Sequence, residues 1–367
     1  DSALNFMNAK DPLSLAQWSD GSYAAFTGGT KNPLPMIEQN VGGGILRKSL
    51  RLTSALALVY KPAKWLILEA KAAPRLSIVR AHDFYDMIYY HSDPYGTVSP
   101  TPNREYNYLS ETDTFTYNGL YQFTAITSKS FGNHNLRLLV GTSYEDTDEQ
   151  TLGATRRDYD YPQYEVINAG ADNIYKDNSG SRTQVALASF FGRLNYNYKE
   201  RYLLEANVRV DGSSRFLKSN RWGVFPSMSG AWRMTEEPFM AGVKNTLTEL
   251  KFRASYGTLG NQSIGSNYPT VQLLALSSYA AAEQVYPIVT QTNLANTALS
   301  WETTRMADIG IDAALWNKFS VTADYYYKLT DGILMKLDIP STIGLSAPYQ
   351  NAGVVSNRGW ELGLGYY

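Results

Sequence analysis

The chain has 367 residues, of which 18% are charged and 13% aromatic, with 28 tyrosines, no cysteine and a formal net charge of −1. Soluble domains usually carry about 25% charged residues, so this balance suits a protein with one face in lipid and the other in water. The neutral charge excludes an electrostatic nucleic-acid footprint, and the lack of cysteine excludes disulfides, thiolate metal sites and thiol nucleophiles. No run of 18 or more apolar residues occurs, which argues against helical membrane spans. A membrane β-barrel has this profile because only every second residue faces lipid; a tyrosine-rich soluble all-β protein is the other reading of composition. The first residues, Asp1-Ser2-Ala3-Leu4, have neither a charged nor an apolar leader segment, so a signal peptide is missing or already removed.

In chain order, strands are predicted over residues 45–60, 65–79, 113–127, 135–144, 185–198, 202–210, 222–232, 250–256, 303–315, 319–328 and 358–367. The clearest places Tyr202, Leu204, Ala206, Val208 and Val210 on one face and Glu205, Asn207 and Arg209 on the other, the period of two that defines a strand. The same alternation runs through residues 250–256 and through Phe319, Val321, Ala323, Tyr325 and Tyr327.

Connections alternate in length. Residues 61–64, 128–134, 199–201 and 316–318 form tight turns, with 233–249 an overlong member of the same class. Residues 80–112, 145–184, 211–221, 259–302 and 329–357 form long loops. Short periplasmic turns and long extracellular loops are the habit of outer-membrane barrels, so the order predicts an antiparallel up-and-down transmembrane barrel and its orientation. Trp222 and Trp232 share parity ten residues apart, about 33 Å of strand. At a tilt of about 45° they would mark the two rims of an apolar band about 25 Å tall. Pro226 between them removes a ladder donor and is read as a local bulge. Eleven strands is an odd count, and an open edge in lipid is costly. The sequence therefore reads as a portion, 1–367, of one barrel domain of a longer protein.

From Arg182 the motifs are specific: RYLLEANVRVDGSSRF at 201–216, NRWGVFPS at 220–227, AWR at 231–233, EEPFM at 236–240, LKFRASYGTLGNQ at 250–262, LSWETT at 299–304 and NRGWEL at 357–362. In these the chain resembles the SusC/RagA family of TonB-dependent outer-membrane transporters. The resemblance implies a barrel of 22 strands, with an N-terminal plug and a TonB-binding segment that these residues do not include. It implies active import of a glycan oligomer or peptide across the outer membrane of a Gram-negative, Bacteroidota-type bacterium, without catalysis. A SusD-like surface lipoprotein, the TonB complex and a dimer of transporter–lid pairs would be its partners. The alternative is a structural or adhesive barrel without transport.

For ligand contact the loop aromatics Tyr85, Tyr89, Tyr90, Tyr95, Tyr159 and Tyr161, with Tyr164, are the candidates, since flat amphipathic rings suit sugars and peptide side chains. Packing among the loops is the competing role. His82, Asp83, Asp86, His91 and Asp93 could ligate a transition metal, and Asp172, Asn173, Asp177 and Asn178 could ligate calcium. Neither set has a recognisable ligand spacing, so both read as solvated polar loops and no cofactor is expected. No GxSxG or phosphate-cradling glycine loop is present.

Overall fold

The computed structural model describes residues 14–26, 32–38, 41–95, 100–281 and 284–366. The N-terminal Asp1 to Leu4 and the terminal Tyr367 lie outside the described residues. The strands are β1 (Gly43–Thr53), β2 (Leu56–Ala63), β3 (Leu66–Ala72), β4 (Arg75–Tyr85), β5 (Tyr89–Tyr90), β6 (Thr101–Pro102), β7 (Tyr108–Phe131), β8 (His134–Arg157), β9 (Asp177–Tyr198) and β10 (Tyr202–Ser213). They continue with β11 (Trp222–Arg233), β12 (Leu247–Asn261), β13 (Leu274–Ala281), β14 (Gln284–Gln291), β15 (Glu302–Leu315), β16 (Phe319–Asp331), β17 (Leu334–Lys336), β18 (Tyr349–Asn351) and β19 (Val354–Tyr366).

Thirteen of them form one sheet. Ser54-Ala55 and Ala73-Pro74 interrupt the two strands predicted at 45–60 and 65–79, giving β1/β2 and β3/β4. Pro74 cannot donate to a ladder, and the Ser54 amide and hydroxyl each donate to its carbonyl at 3.2 Å. Taken as two bent strands, these four bring the sheet to the eleven strands read from the sequence.

The long loops are corrected. The connection predicted at 80–112 is shortened at both ends, since β4 runs to Tyr85 and β7 begins at Tyr108; that at 145–184 shrinks because β8 runs to Arg157 and β9 begins at Asp177. The loops at 259–302 and 329–357 contain the hairpins β13–β14 and β17–β18. Alternation in hydropathy reports a strand only where one face is apolar; a stretch such as Glu145-Asp146-Thr147-Asp148-Glu149 is polar on both faces and gives no such signal.

The described residues fall into two compact units. The larger comprises Ser54–Pro74, Asn118–Thr147 and Gln184–Tyr367. Its ladders from β9 to β12 and from β15 to β19 are antiparallel. Neighbouring short turns are joined at one end, Lys199 donating to the Asn133 carbonyl at 2.9 Å and Trp316 to that of Thr246 at 2.8 Å. The overlong turn after β11 is filled by two short 3₁₀ helices, Met234–Glu236 and Pro238–Val243.

Two of these turns have positive φ at both central residues, Lys199 and Glu200 (53° and 56°) and Trp316 and Asn317 (52° and 54°). That is the signature of the type I′ hairpin turn, which matches strand twist but normally uses Asn-Gly. Left-handed backbone costs an ordinary residue roughly 1–2 kcal/mol. Glu200→Gly should therefore stabilise the barrel by about 1 kcal/mol, read as a raised urea midpoint in detergent.

Pro226 is not at a bulge. The β10–β11 register is continuous through Val208↔Pro226, whereas pairing with β12 starts one residue later, at Ser227↔Gly257. The Pro226 carbonyl points towards β12 and accepts from the Thr258 hydroxyl at 3.1 Å. The missing N–H thus falls just past the last rung on that side, where no ladder bond is lost. Phe225 explains why the rungs stop: its ring occupies the space over Gly223 and Gly260 and meets Trp301 edge-on at 5.3 Å.

The smaller unit comprises Asp1–Thr53, Arg75–Tyr117 and Asp148–Thr183. Within it β1 pairs with β4 along eleven residues, and Phe84, Leu109 and Tyr159 form a buried cluster joined by Ile167.

Candidate functional site

The wall formed by β9 to β12, β15, β16 and β19 has two chemically opposite faces. Strand register puts on one face Tyr202, Leu204 and Val208 of β10, Trp232, Met228 and Val224 of β11, Phe252 and Tyr256 of β12, Ile309 and Ile311 of β15, and Trp360, Leu362 and Leu364 of β19. All but Trp232 are exposed. A continuous apolar surface of this extent is unsuited to water and suits lipid. Towards the short turns the same face carries a belt of aromatic rings: Tyr198 stacks on Tyr202, Trp232 on Phe252, Trp316 meets Phe319, and Phe319 packs on Tyr366, with centroids 4.9–6.3 Å apart. Aromatic belts mark membrane–water interfaces. Trp232 stands in this belt, and Trp222 stands at the other end of β11, stacked on Phe190 at 6.0 Å.

The opposite face is ionic. Arg253 on β12 donates to Asp312 on β15 at 3.1 Å and reaches Asp324 on β16 at 2.8 Å, with Asp308 at 3.7 Å. Lys251 pairs with Asp312 at 3.4 Å. Gly310 lies between Arg253 and Asp324, and a Cβ there would sit 2.2 Å from an Asp324 oxygen and 2.8 Å from Arg253 Cζ. The glycine is what lets the guanidinium cross a strand. Removing one partner of such a group leaves the others uncompensated, at about 3–5 kcal/mol when buried. The Arg253 side chain is 29% exposed, so screening reduces this. Arg253→Met should cost about 2 kcal/mol, with part of the loss recovered by adding Asp324→Asn; chemical unfolding in detergent measures both. Further along the face Phe191, Arg209, Asp211, Phe225 and Leu259 line a recess of about 720 Å³.

The tyrosines named from the sequence separate into two groups. Tyr159 is 4% exposed, edge-on to Phe84 at 5.4 Å; Tyr90 is buried and donates to the Asn32 carbonyl at 3.3 Å. Burial pushes both hydroxyls above the usual tyrosine range. Tyr85 stacks on Tyr108 at 4.8 Å under the Arg104 guanidinium. Tyr89, Tyr95, Tyr161 and Tyr164 are exposed, Tyr95 to 87%. Sequence reasoning passed over Asn107, a buried side chain that donates to the Tyr159 carbonyl and accepts from its amide at 2.9 and 2.6 Å.

The polar loop residues find local partners. His82 faces Glu111 at 2.6 Å and Glu165 at 2.8 Å, Asp93 accepts from the Tyr95 amide, Asp172 pairs with Lys176 at 2.6 Å, and Asn173 donates to Asp158. Among the described residues no group of three or more His, Asp or Glu is placed to hold a metal. None of their helices is long and apolar enough to cross a membrane, so any crossing is by strands.

These features meet in one family. The TonB dependent receptor-like β-barrel family matches residues 65–367. The chain belongs to it. TonB-dependent receptor P3 of Formosa agariphila is 35% identical over 260 residues, 71% of this chain and 25% of that protein. TonB-dependent receptor SusC of Bacteroides thetaiotaomicron is 30% identical over 267 residues, 71% of this chain and 26% of that protein. A solved structure of the RagAB peptide importer in a closed-closed state aligns with 94% of this chain and 37% of the matched one. Its TM-score of 0.80 at 24% identity establishes a shared fold. The chain thus spans about a quarter of the length of these curated relatives. TonB-dependent receptor barrels are outer-membrane proteins, which accounts for the apolar face and the aromatic belt.

Proposed function

We propose that the barrel containing this wall performs TonB-dependent active import of a nutrient, a glycan oligomer or a peptide, across the outer membrane of a Bacteroidota-type bacterium. On this reading residues 1–367 are part of one barrel domain. A SusD-like lipoprotein acts at the long-connection side, the TonB complex couples from the other, and transporter–lid pairs can dimerise. The observation that carries the reading is the two-faced wall of a TonB-dependent receptor. Its outward side suits lipid, and its inward side is lined by fixed charges and amides that can face water, a plug or a polar solute. No step of import requires catalysis. Of the candidate aromatics, Tyr89, Tyr95, Tyr161 and Tyr164 have rings free to meet a ligand, while Tyr85, Tyr90 and Tyr159 support the loops. Loop residues on a rigid scaffold commonly supply recognition.

Growth tests this. A strain lacking the gene should fail on one class of polymer, glycan or peptide, as sole source, and a strain lacking TonB function should fail on the same class. Normal growth on every such source, with loss of surface attachment instead, would favour an adhesive barrel.

A further inference from the structure

We propose that His82 is a pH-sensitive clasp that holds residues 160–169 against β4 and β7 and closes one side of a cavity in the smaller unit. The geometry is specific. Nδ1 of His82 faces Glu111 on β7 at 2.6 Å, and Nε2 faces Glu165, 83 residues away in sequence, at 2.8 Å. A carboxylate only accepts, and a neutral imidazole has one N–H. Both contacts are therefore hydrogen bonds only when the ring is imidazolium. Deprotonation releases one proton to solvent and turns a lone pair towards a carboxylate.

What the clasp holds is also defined. One end of the segment is pinned where Asp158 and Tyr159 bond to Asn107. The other is pinned where Ala171 donates to the Arg157 carbonyl and Gly170 accepts from Arg156. Between these pins Ile167 packs on the Phe84 cluster and Glu165 reaches His82. Pro162, Gln163 and Glu165 form one side of a cavity of about 1040 Å³, with Ile45, Phe84 and Asp86 among the facing residues. Loss of the His82–Glu165 contact frees that side.

The charged surroundings fix the direction. Glu111 faces His82 from β7 and Glu165 from the segment, while Arg80 of its own strand and Lys48 of β1 line the same cavity, with Glu38 and Asp86 further along it. Arg80 is engaged with Asp113 at 3.2 Å. Desolvation disfavours the charged ring, but its hydrogen bonds and charge attraction to Glu165 and Glu111 prevail, so its pKa stands above the ordinary histidine value. A raised folded-state pKa means that the contact is fully present below the unfolded value of about 6.5 and is lost as pH rises through the folded one. The clasp is therefore shut at pH 6 and opens as the ring loses its proton. Charged residues on both faces of β4 from Arg80 onward (Arg80 and His82 on one, Asp83 on the other) keep this stretch out of lipid.

Hydrogen exchange followed by mass spectrometry on the full-length protein in detergent decides the matter, with rates corrected for intrinsic pH dependence. From pH 6 to pH 8.5 the amides of residues 160–169 should exchange about tenfold faster relative to those of β10, as expected for losing one charge-assisted hydrogen bond. His82→Gln, which cannot protonate, should abolish that step, and Glu165→Gln should give fast exchange at both pH values. A flat profile in the natural protein, or a step that survives both substitutions, would overturn the proposal. Should His82→Gln fail to fold, Glu165→Gln at a partly exposed position carries the test alone.

Discussion

Phe225→Ala is expected to lower barrel stability by about 3–5 kcal/mol, the range for truncating an enclosed aromatic ring. The ring is 8% exposed. It fills a space that no neighbouring side chain can reclaim: Cβ atoms built on Gly260 and Gly223 would lie 2.0 and 2.4 Å from its Cζ. Truncation leaves a gap beneath Trp301, whose indole N–H is committed to the Arg221 carbonyl at 2.9 Å and cannot swing in freely. The loss should appear as a lowered urea midpoint and as faster amide exchange at the far end of β12, Thr258 to Asn261. A change under about 1 kcal/mol, with β12 protected as before, would mean that the ring is a passenger and that the strands separate there for another reason.

Val208→Arg should cost about 2–4 kcal/mol, the measured scale for a cation on the lipid face near the bilayer midplane. Asn207→Arg, one residue away, should be nearly neutral. Val208 is exposed opposite Pro226 and Gly192, where a guanidinium has only hydrocarbon around it. Asn207 donates to Glu205 and accepts from Arg193, so a cation there enters a polar neighbourhood, at the loss of those two bonds. The pair is best compared by folding into vesicles and measuring unfolding in guanidinium. Similar losses for both would reverse or void the assigned facing.

The sequence disclosed structure wherever a strand separates two solvents. Tyr202 to Val210 alternates because one parity meets lipid, and the inward parity alone places Arg253, Asp308, Asp312 and Asp324 on one face. What it could not disclose was the junction at Gly310, since the absence of a side chain there matters only once three strands are in register. It lost the distal ends, Tyr108 to Thr112 of β7, Glu145 to Arg157 of β8 and Asp177 to Gln184 of β9, because these stretches are largely polar on both faces. The loop tyrosines were equally opaque: Tyr159 and Tyr161 look alike in sequence, yet Asn107 draws one inside and leaves the other out. Pro226 was visible as an anomaly, but its harmlessness depends on which neighbour its carbonyl faces. His82 stood out beside Asp83 and Asp86, whereas its partner Glu165 lies in another loop.

The aromatic belt sits at one end of strands that differ greatly in length. β7 and β8 each run for 24 residues, about 79 Å of extended chain, a little over twice the roughly 35 Å of strand that an apolar band about 25 Å tall demands at a tilt of about 45°. The end of the hydrocarbon beside the short turns is thus fixed by rings at known rungs, while at the other end the β7–β8 ladder continues past it. A membrane a few ångströms thicker would cover one more rung of an existing ladder rather than compel the strands to tilt or stretch. Mismatch, which costs fractions of a kcal/mol per ångström when a span ends abruptly, has little to act on here. The denser ring belt lies beside the short turns, with Trp222 stacked on Phe190 at the other end of β11, and variation in the leaflet there should pass along β7 and β8 without disturbing the ionic network of β12, β15 and β16.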